Sequence, residues 1–163
     1  KLFGYTYKEI IKDKIRLNYR SKIKIKDTNV NELIKFLGNS LKNYSKLITK
    51  AKPDIVILLG DRYETFCFCV ASFFLNIPIA HIHGGELTYG ALDDGLRHSI
   101  TKLSNFHFVS HFSYAKRVIQ LGENPKRVFN VGALGVENIA KTKLIDKKKL
   151  LQSYKIPNNN DLF

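Results

Sequence analysis

Apolar positions along the 163-residue chain change period several times, and each change marks an element. Val30, Leu33, Ile34, Leu37, Leu41, Tyr44, Leu47 and Ile48 recur at spacings of three and four. That spacing predicts an amphipathic helix over Val30–Lys50, with Pro53 just past its end. Ile55 to Leu59 is an unbroken apolar run that stops at Gly60-Asp61, the pattern of a parallel strand buried on both faces. The same logic predicts a helix over Tyr63–Leu75, a strand over Pro78–His83 ending in Gly84-Gly85, and a helix over Asp93–Ser104. A strand over Phe106–Ser110, a helix over Tyr114–Leu121 and a strand over Arg127–Val131, ended by Gly132, complete the series. Upstream, a short helix is expected near Tyr7–Lys14 and an alternating stretch at Lys22–Lys26. Pro157 to Asp161 reads as a turn or loop. Strand and helix alternate with short connections, so the fold class expected is α/β: a Rossmann-like parallel sheet with helices on both faces.

Open parallel sheets bind ligands beyond the carboxyl ends of their strands. The residues at those ends are therefore the candidates. Gly60, Asp61 and Arg62 follow the first strand; His83, Gly84, Gly85 and Glu86 follow the second; Gly132 and Gly135 follow the fourth. Asp93, Asp94, Arg97 and His98 open the next helix. Asp61 could act as acid/base and Arg62 as a phosphate ligand, or the two could form a turn pair capping the next helix. The two glycines between His83 and Glu86 would let backbone approach a ligand. The bland alternative is a strand-to-loop turn. His81 and His83 are expected to share one strand face. Asp93 and Arg97 stand i, i+4 on one helix face, with Asp94 and His98 as a parallel pair. Of these, Asp93 and Arg97 are the pair expected to face the cleft.

Composition narrows the function. The net charge of +13 is uneven: +10 over residues 1–52, −3 over 53–115 and +6 over 116–163. Lys outnumbers Arg 21 to 6, and the lysines are spread along solvated helix faces. A nucleic-acid partner is therefore not expected, because such sites gather Arg or aromatic side chains within the basic patch. The most apolar stretch, Thr65–Ala80, contains Asn76 and Pro78 and is too short to span a bilayer, so no membrane partner is expected. Cys67 and Cys69 are too close for an ordinary structural disulfide and suit buried thiols in a reducing, cytoplasmic setting. No dinucleotide glycine fingerprint, phosphate-binding loop, nucleophile elbow or HExxH spacing is present, and nothing calls for a metal or other cofactor. The chain lacks Met and begins at Lys1, which suggests a processed product or a fragment.

Four segments carry a family resemblance: Pro53–Glu64 (PDIVILLGDRYE), Ile79–Glu86 (IAHIHGGE), Asp93–Lys102 (DDGLRHSITK) and Val128–Gly135 (VFNVGALG). In this order and at this spacing they resemble the UDP-N-acetylglucosamine 2-epimerase family, most of all its hydrolysing branch, which feeds sialic-acid-type sugar synthesis. The resemblance runs over about residues 5–155. It implies most of the N-terminal half of a two-domain GT-B enzyme, lacking its first strand. Residues 1–145 would belong to that domain, and 146–163 would begin the C-terminal domain, which supplies much of the UDP site. The fragment alone is then expected to be inactive, and the full-length enzyme to be a cytoplasmic homodimer acting on a UDP-sugar.

The implied reaction is anti elimination of UDP across C1 and C2 of the sugar, followed by hydration of the glycal. With UDP-N-acetylglucosamine the products are N-acetylmannosamine and UDP. A base must remove the C2 proton, positive charge growing at C1 must be stabilised, and cations must hold the departing diphosphate. By position, Asp61, Asp93 and Arg97 match the family's catalytic Asp, acidic residue and Arg, and Arg62 matches a residue near UDP. Gly84, Gly85 and His98 are the further substrate-binding candidates. Where non-hydrolysing members carry a Glu, this chain has His83, and its nearest carboxylate is Glu86. Either residue could take the acid/base role. The alternatives are the same reaction on a UDP-2,4-diacetamido-trideoxy sugar, and a non-catalytic module that holds a sugar nucleotide. A GT-B glycosyltransferase is a further class, which the motif string disfavours.

Overall fold

The computed structural model describes residues 7–21 and 29–156. The expected stretch at Lys22–Lys26 and the loop at Pro157–Asp161 lie outside them. The chain divides into two compact units, with the break between Val131 and Gly132.

The first unit holds four parallel strands in the order β1-β2-β3-β4: Val56–Leu59, Ile79–Ile82, Phe106–Val109 and Val128–Asn130. The register pairs Leu58 with His81, His81 with His107, and His107 with Val128. Helix α1 spans Tyr7–Lys12 and α2 spans Val30–Ala51. Asn29 caps α2, its side chain accepting from Glu32 N at 2.9 Å, and Lys52 ends it in the left-handed region. The crossover helices are α3 (Tyr63–Phe74), α4 (Leu92–Leu103) and α5 (Phe112–Gln120). α5 starts two residues earlier than its apolar spacing predicts, because the His111 side chain caps it by accepting from Ser113 N.

Each strand is followed directly by its neighbour. A parallel crossover is right-handed, so successive crossovers in one direction put their helices on the same face. Burial agrees. Val56 and Leu58 are enclosed with Cys69, Ile79 and Ile100, while Ile57 and Leu59 on the reverse side are 66% and 56% exposed. Of the helices expected on both faces, those described cover one. The expectation that the first strand is buried on both sides is accordingly corrected: in this chain β1 is buried on one. Cys67 and Cys69 are free and buried, as expected, and burial raises their thiols to about 11 and about 12.

The second unit contains α6 (Leu134–Lys141) and α7 (Lys147–Ser153), the latter capped by Asp146. Among the described residues, no helix is long and apolar enough to cross a membrane.

Candidate active site

The carboxyl ends of β1, β2 and β3 bring one guanidinium and two carboxylates together. Arg97 sits on α4 one turn past its start and is 6% exposed. Its Nη2 donates to Asp61 Oδ2 and, at 3.0 Å, to Thr88 Oγ1; its Nη1 donates to Glu86 Oε2 at 3.0 Å. Two carboxylates against one cation leave the group with one net negative charge. A buried Arg whose fork is committed to two carboxylates orients them, and it is not free to grip a diphosphate.

Glu86 is the most heavily bonded carboxylate. Its Oε1 accepts from Ser110 Oγ at 2.6 Å and lies 2.6 Å from His83 Nδ1. Burial pushes its carboxyl up, but the bonds from Ser110 and His83 and the charge of Arg97 outweigh burial, and the net displacement is downward. Glu86 is therefore held ionised. His83 and Glu86, the two alternatives for the acid/base role, are bonded to each other. With Nδ1–H donating to a fixed carboxylate, His83 presents Nε2 as the free ring nitrogen, the logic of an acid/base imidazole oriented by a carboxylate.

His83 reaches that position because its backbone is left-handed, with φ of 66°. The expectation that His81 and His83 share a strand face is corrected: β2 ends at Ile82, and the left-handed residue turns the side chain out of the pleat. Non-glycine residues with positive φ are costly and gather at functional sites. Gly85 follows at φ of 77°, where a Cβ would stand 2.5 Å from Tyr114 O, so only glycine lets this turn lie on α5. At Gly84 a Cβ would meet His81 Nδ1 at 3.0 Å and Thr101 Oγ1 at 3.1 Å. Arg117 on α5 donates to Gly85 O from the other side.

Beneath the turn, fully buried His81 ties two elements of the site together. Its Nε2 lies 2.8 Å from Gly60 O, and a carbonyl only accepts, so Nε2 carries the proton. Its Nδ1 faces Thr101 Oγ1 at 3.2 Å, and that hydroxyl is 3.0 Å from Arg97 O. His81 thus bonds the backbone next to Asp61, and the one proton of the Thr101 hydroxyl beside it goes either to Nδ1 or to Arg97 O. Burial lowers His81 to about 4.

The remaining candidates are placed differently. Asp93 and Arg97 do not pair: Arg97 turns to Asp61 and Glu86, and Asp93 has no partner among the described residues. The i, i+4 contact that forms is Asp94 with His98, at 3.8 Å, and Asp94 also accepts from Thr88 N at 3.0 Å. His98 lies over the α3/α4 side with Phe66, Lys102 and Leu103, away from Arg97's partners. Arg62 is largely exposed and bonds Glu64 and the Tyr63 hydroxyl. Neither it nor Asp61 caps α3 through its side chain. Gly132 and Gly135 fall beyond the break between the units. Sequence reasoning missed Ser110, Thr88 and the His81–Thr101 link. Ser110 had a usable signal, since it stands one residue past β3 just as Gly60 stands one past β1.

Comparison with known proteins gives this edge its context. The family model for UDP-N-acetylglucosamine 2-epimerase matches residues 3–162. The GDP/UDP-N,N'-diacetylbacillosamine 2-epimerase (hydrolyzing) of Campylobacter jejuni is 40% identical over 99% of this chain and 42% of its own length. The UDP-N-acetylglucosamine 2-epimerase of Neisseria meningitidis is 31% identical over 98% of this chain and 41% of its own. The crystal structure of the Neisseria meningitidis enzyme bound to UDP-GlcNAc superposes with a TM-score of 0.70 at 22% identity, over 90% of this chain and 41% of that one. That likeness supports the α/β, GT-B-type fold. The chain thus spans about two fifths of the length of these relatives. With four motifs, a parallel sheet and a family match over nearly every residue, the chain belongs to the UDP-N-acetylglucosamine 2-epimerase family.

Proposed function

We propose that the whole protein carrying this chain is a hydrolysing UDP-sugar 2-epimerase, and that the cluster at the strand ends supplies its acid/base groups. The carrying observation is Glu86, bonded by Arg97, Ser110 and His83 at once. His83 Nε2 takes the C2 proton, the C2–H electrons form the C1–C2 double bond, and the C1–O bond breaks to release UDP. Water then adds its oxygen to C1 and a proton goes to C2. Inversion at C2 needs a second group to return the proton from the opposite face. Asp93, unpartnered among the described residues, is assigned that role. Asp61, with one oxygen held by Arg97, faces the positive charge growing at C1. Arg62, largely exposed at the end of β1, is the cation assigned to the diphosphate. Gly84 and Gly85 shape the turn against which the sugar would lie. Residues 1–145 are the N-terminal catalytic half in this reading, and the rest of the UDP site belongs to the remainder of the protein, acting as a cytoplasmic homodimer.

Two substrates fit. UDP-N-acetylglucosamine would yield N-acetylmannosamine. The UDP-2,4-diacetamido-trideoxy sugar is favoured by a specific observation, the 40% identity to a relative named for diacetylbacillosamine against 31% to one named for UDP-N-acetylglucosamine. The test is incubation of the whole protein with each sugar in heavy water, followed by proton NMR. The expected result is free 2-epimer carrying deuterium at C2, together with UDP. Absence of UDP release from both sugars would leave the non-catalytic binding module in its place. In the active protein, Asp93→Asn should slow turnover by about 10²-fold or more with the thermal midpoint unchanged, as befits loss of one positioned acid/base group.

A further inference from the structure

Most serines of known geometry in the first unit bond within their own helix. Ser72, Ser99 and Ser104 each donate to the carbonyl four residues back, a local bond that competes with the helix ladder and carries no message beyond it. Ser113 meets the His111 side chain two residues back, and Ser110 alone of these described serines bonds across to another element. It stands one residue past β3, half-buried, and reaches across to the loop after β2 to donate to Glu86 Oε1 at 2.6 Å. The register explains how. Ile82 pairs with Phe108, so two residues further on Ser110 lies beside the start of the His83–Glu86 turn.

The same oxygen lies 2.6 Å from His83 Nδ1, and the other carboxylate oxygen accepts from Arg97. Remove the serine hydroxyl, and Glu86 keeps Arg97 on one oxygen but can swing the other away from the imidazole. The hydroxyl therefore does what Arg97 alone cannot: it fixes the rotation of the carboxylate about its last bond, and so fixes which His83 nitrogen carries the proton. We infer that Ser110 is a positioning residue, which locks Glu86 so that His83 presents an unprotonated Nε2 to the substrate. This rests on the acid/base assignment proposed above. The groups facing Glu86 are His83 at the end of β2, Arg97 on α4 and Ser110 at the end of β3. Asp61 at the end of β1 acts through Arg97, and Arg117 on α5 acts through Gly85 O. Of the others only His83 also bonds Oε1, and it is the group whose orientation the hydroxyl holds. Losing this donor leaves more of the charge on Oε1 to the imidazole and so favours its protonated form, and the acid side of the pH profile, set by the base His83, should move to higher pH.

The experiment compares the whole protein with Ser110→Ala and Ser110→Thr, using whichever UDP-sugar the unaltered protein turns over. Ser110→Ala should lower kcat by about 10-fold or more with KM within about twofold, the pattern of an interaction that matters in the transition state. Its acid limb should shift to higher pH. Ser110→Thr, which keeps the hydroxyl, should restore both. Thermal midpoints of the three proteins check that the fold is common to all. A second readout needs no turnover. Nitrogen-15 NMR of the His83 ring should show the Nδ1–H tautomer dominant in the unaltered protein and diminished in Ser110→Ala. An unchanged kcat and acid limb in Ser110→Ala, or an unchanged His83 tautomer, overturns the inference while the epimerase reading stands. If the unaltered protein releases no UDP from either sugar, the epimerase reading fails, and the tautomer measurement alone decides whether Ser110 sets the imidazole proton.

Discussion

The two faces of the sheet invert the usual assignment of polar and apolar residues. On the helix-covered face, His81 and His107 lie side by side in register and are fully buried. On the reverse face Ile57, Leu59 and Phe129 are apolar and 66%, 56% and 42% exposed. Residue type did not decide burial here; crossover handedness did, by sending α3, α4 and α5 to one side. His81 is bonded on both sides of its ring, whereas His107 is bonded at Nε2 and its buried Nδ1 has no partner among the described residues. His81 bonds Gly60 O and meets Thr101, and His107 meets Glu123 at 3.2 Å, which Lys102 also bonds. The covered face thus trades some apolar packing for polar links that run to the site, as His81 does to the backbone next to Asp61. Among the described residues, Ile57, Leu59 and Phe129 on the reverse face contact none of the groups around Arg97.

The largest effect should come from the one buried cation at the edge of the covered face. Arg97→Leu leaves Asp61 without its cation and Glu86 with Ser110 and His83 alone, and breaking a buried pair in this way typically costs about 3–5 kcal/mol. Chemical denaturation should show it. A loss under about 1 kcal/mol would mean the carboxylates find water or another donor, and that the covered face does not hold the site.

The pH dependence of stability should come next. His81 binds its proton at about 4 in the fold, against about 6.5 unfolded. The folded state therefore favours neutral His81. That contribution is fully present above about pH 6.5, where neither state is protonated. It is lost as pH falls from about 6.5 to about 4, while the unfolded chain takes up a proton that the fold refuses. The loss is on the order of 3 kcal/mol, with buried His107, also lowered by burial, acting in the same direction. Stability curves at pH 7 and pH 4.5 for the 163-residue chain and for His81→Gln would test this. Equal pH slopes in both would remove His81 as the cause.

A pair of neighbours in β1 gives the sharpest contrast. Leu58 points to the covered face and Leu59 to the open one. Leu58→Ala should destabilise the 163-residue chain by about 2–5 kcal/mol, and Leu59→Ala by under about 0.5 kcal/mol. Equal costs would show that the open face is packed in solution. A single added methyl tests the backbone of the turn. Gly85→Ala must push Cβ towards Tyr114 O and hold a positive φ, at a cost of about 1–3 kcal/mol. Since the turn carries His83 and Glu86, activity of the whole protein should fall with it.

Much of the fold was legible because its signals are local. The three- and four-residue spacing of α2 and the Pro after it, the apolar run of β1 and the glycines at strand ends all act within a few residues of themselves. Expected and observed boundaries accordingly differ by one or two residues in most elements, as at β1 (Ile55 against Val56) and α5 (Tyr114 against Phe112). The gathering of the candidate residues at one edge was legible too, since parallel strands must present their carboxyl ends together. The pairing within it was not. Sequence spacing offered Asp93 to Arg97, but a side chain as long as Arg reaches the neighbouring strand ends as easily as its own helix, and two carboxylates there outbid one on the same turn. Ser110 went unseen because its partner is 24 residues away across a strand boundary.

The sequence by itself determined the alternation of strands and helices, the parallel sheet, and the set of ionisable groups at one edge. These follow from periodicity, turn chemistry and the chirality of crossovers, which depend on neighbours along the chain. Only the tertiary structure decided which face is covered, that buried Arg97 bonds both Asp61 and Glu86, and that His83 and Ser110 meet on one oxygen of Glu86. Those outcomes depend on distances between strands and on the left-handed backbone at His83. Charge pairing in a buried site goes to whichever partner lies within hydrogen-bond reach after folding, and spacing along the chain does not encode that reach.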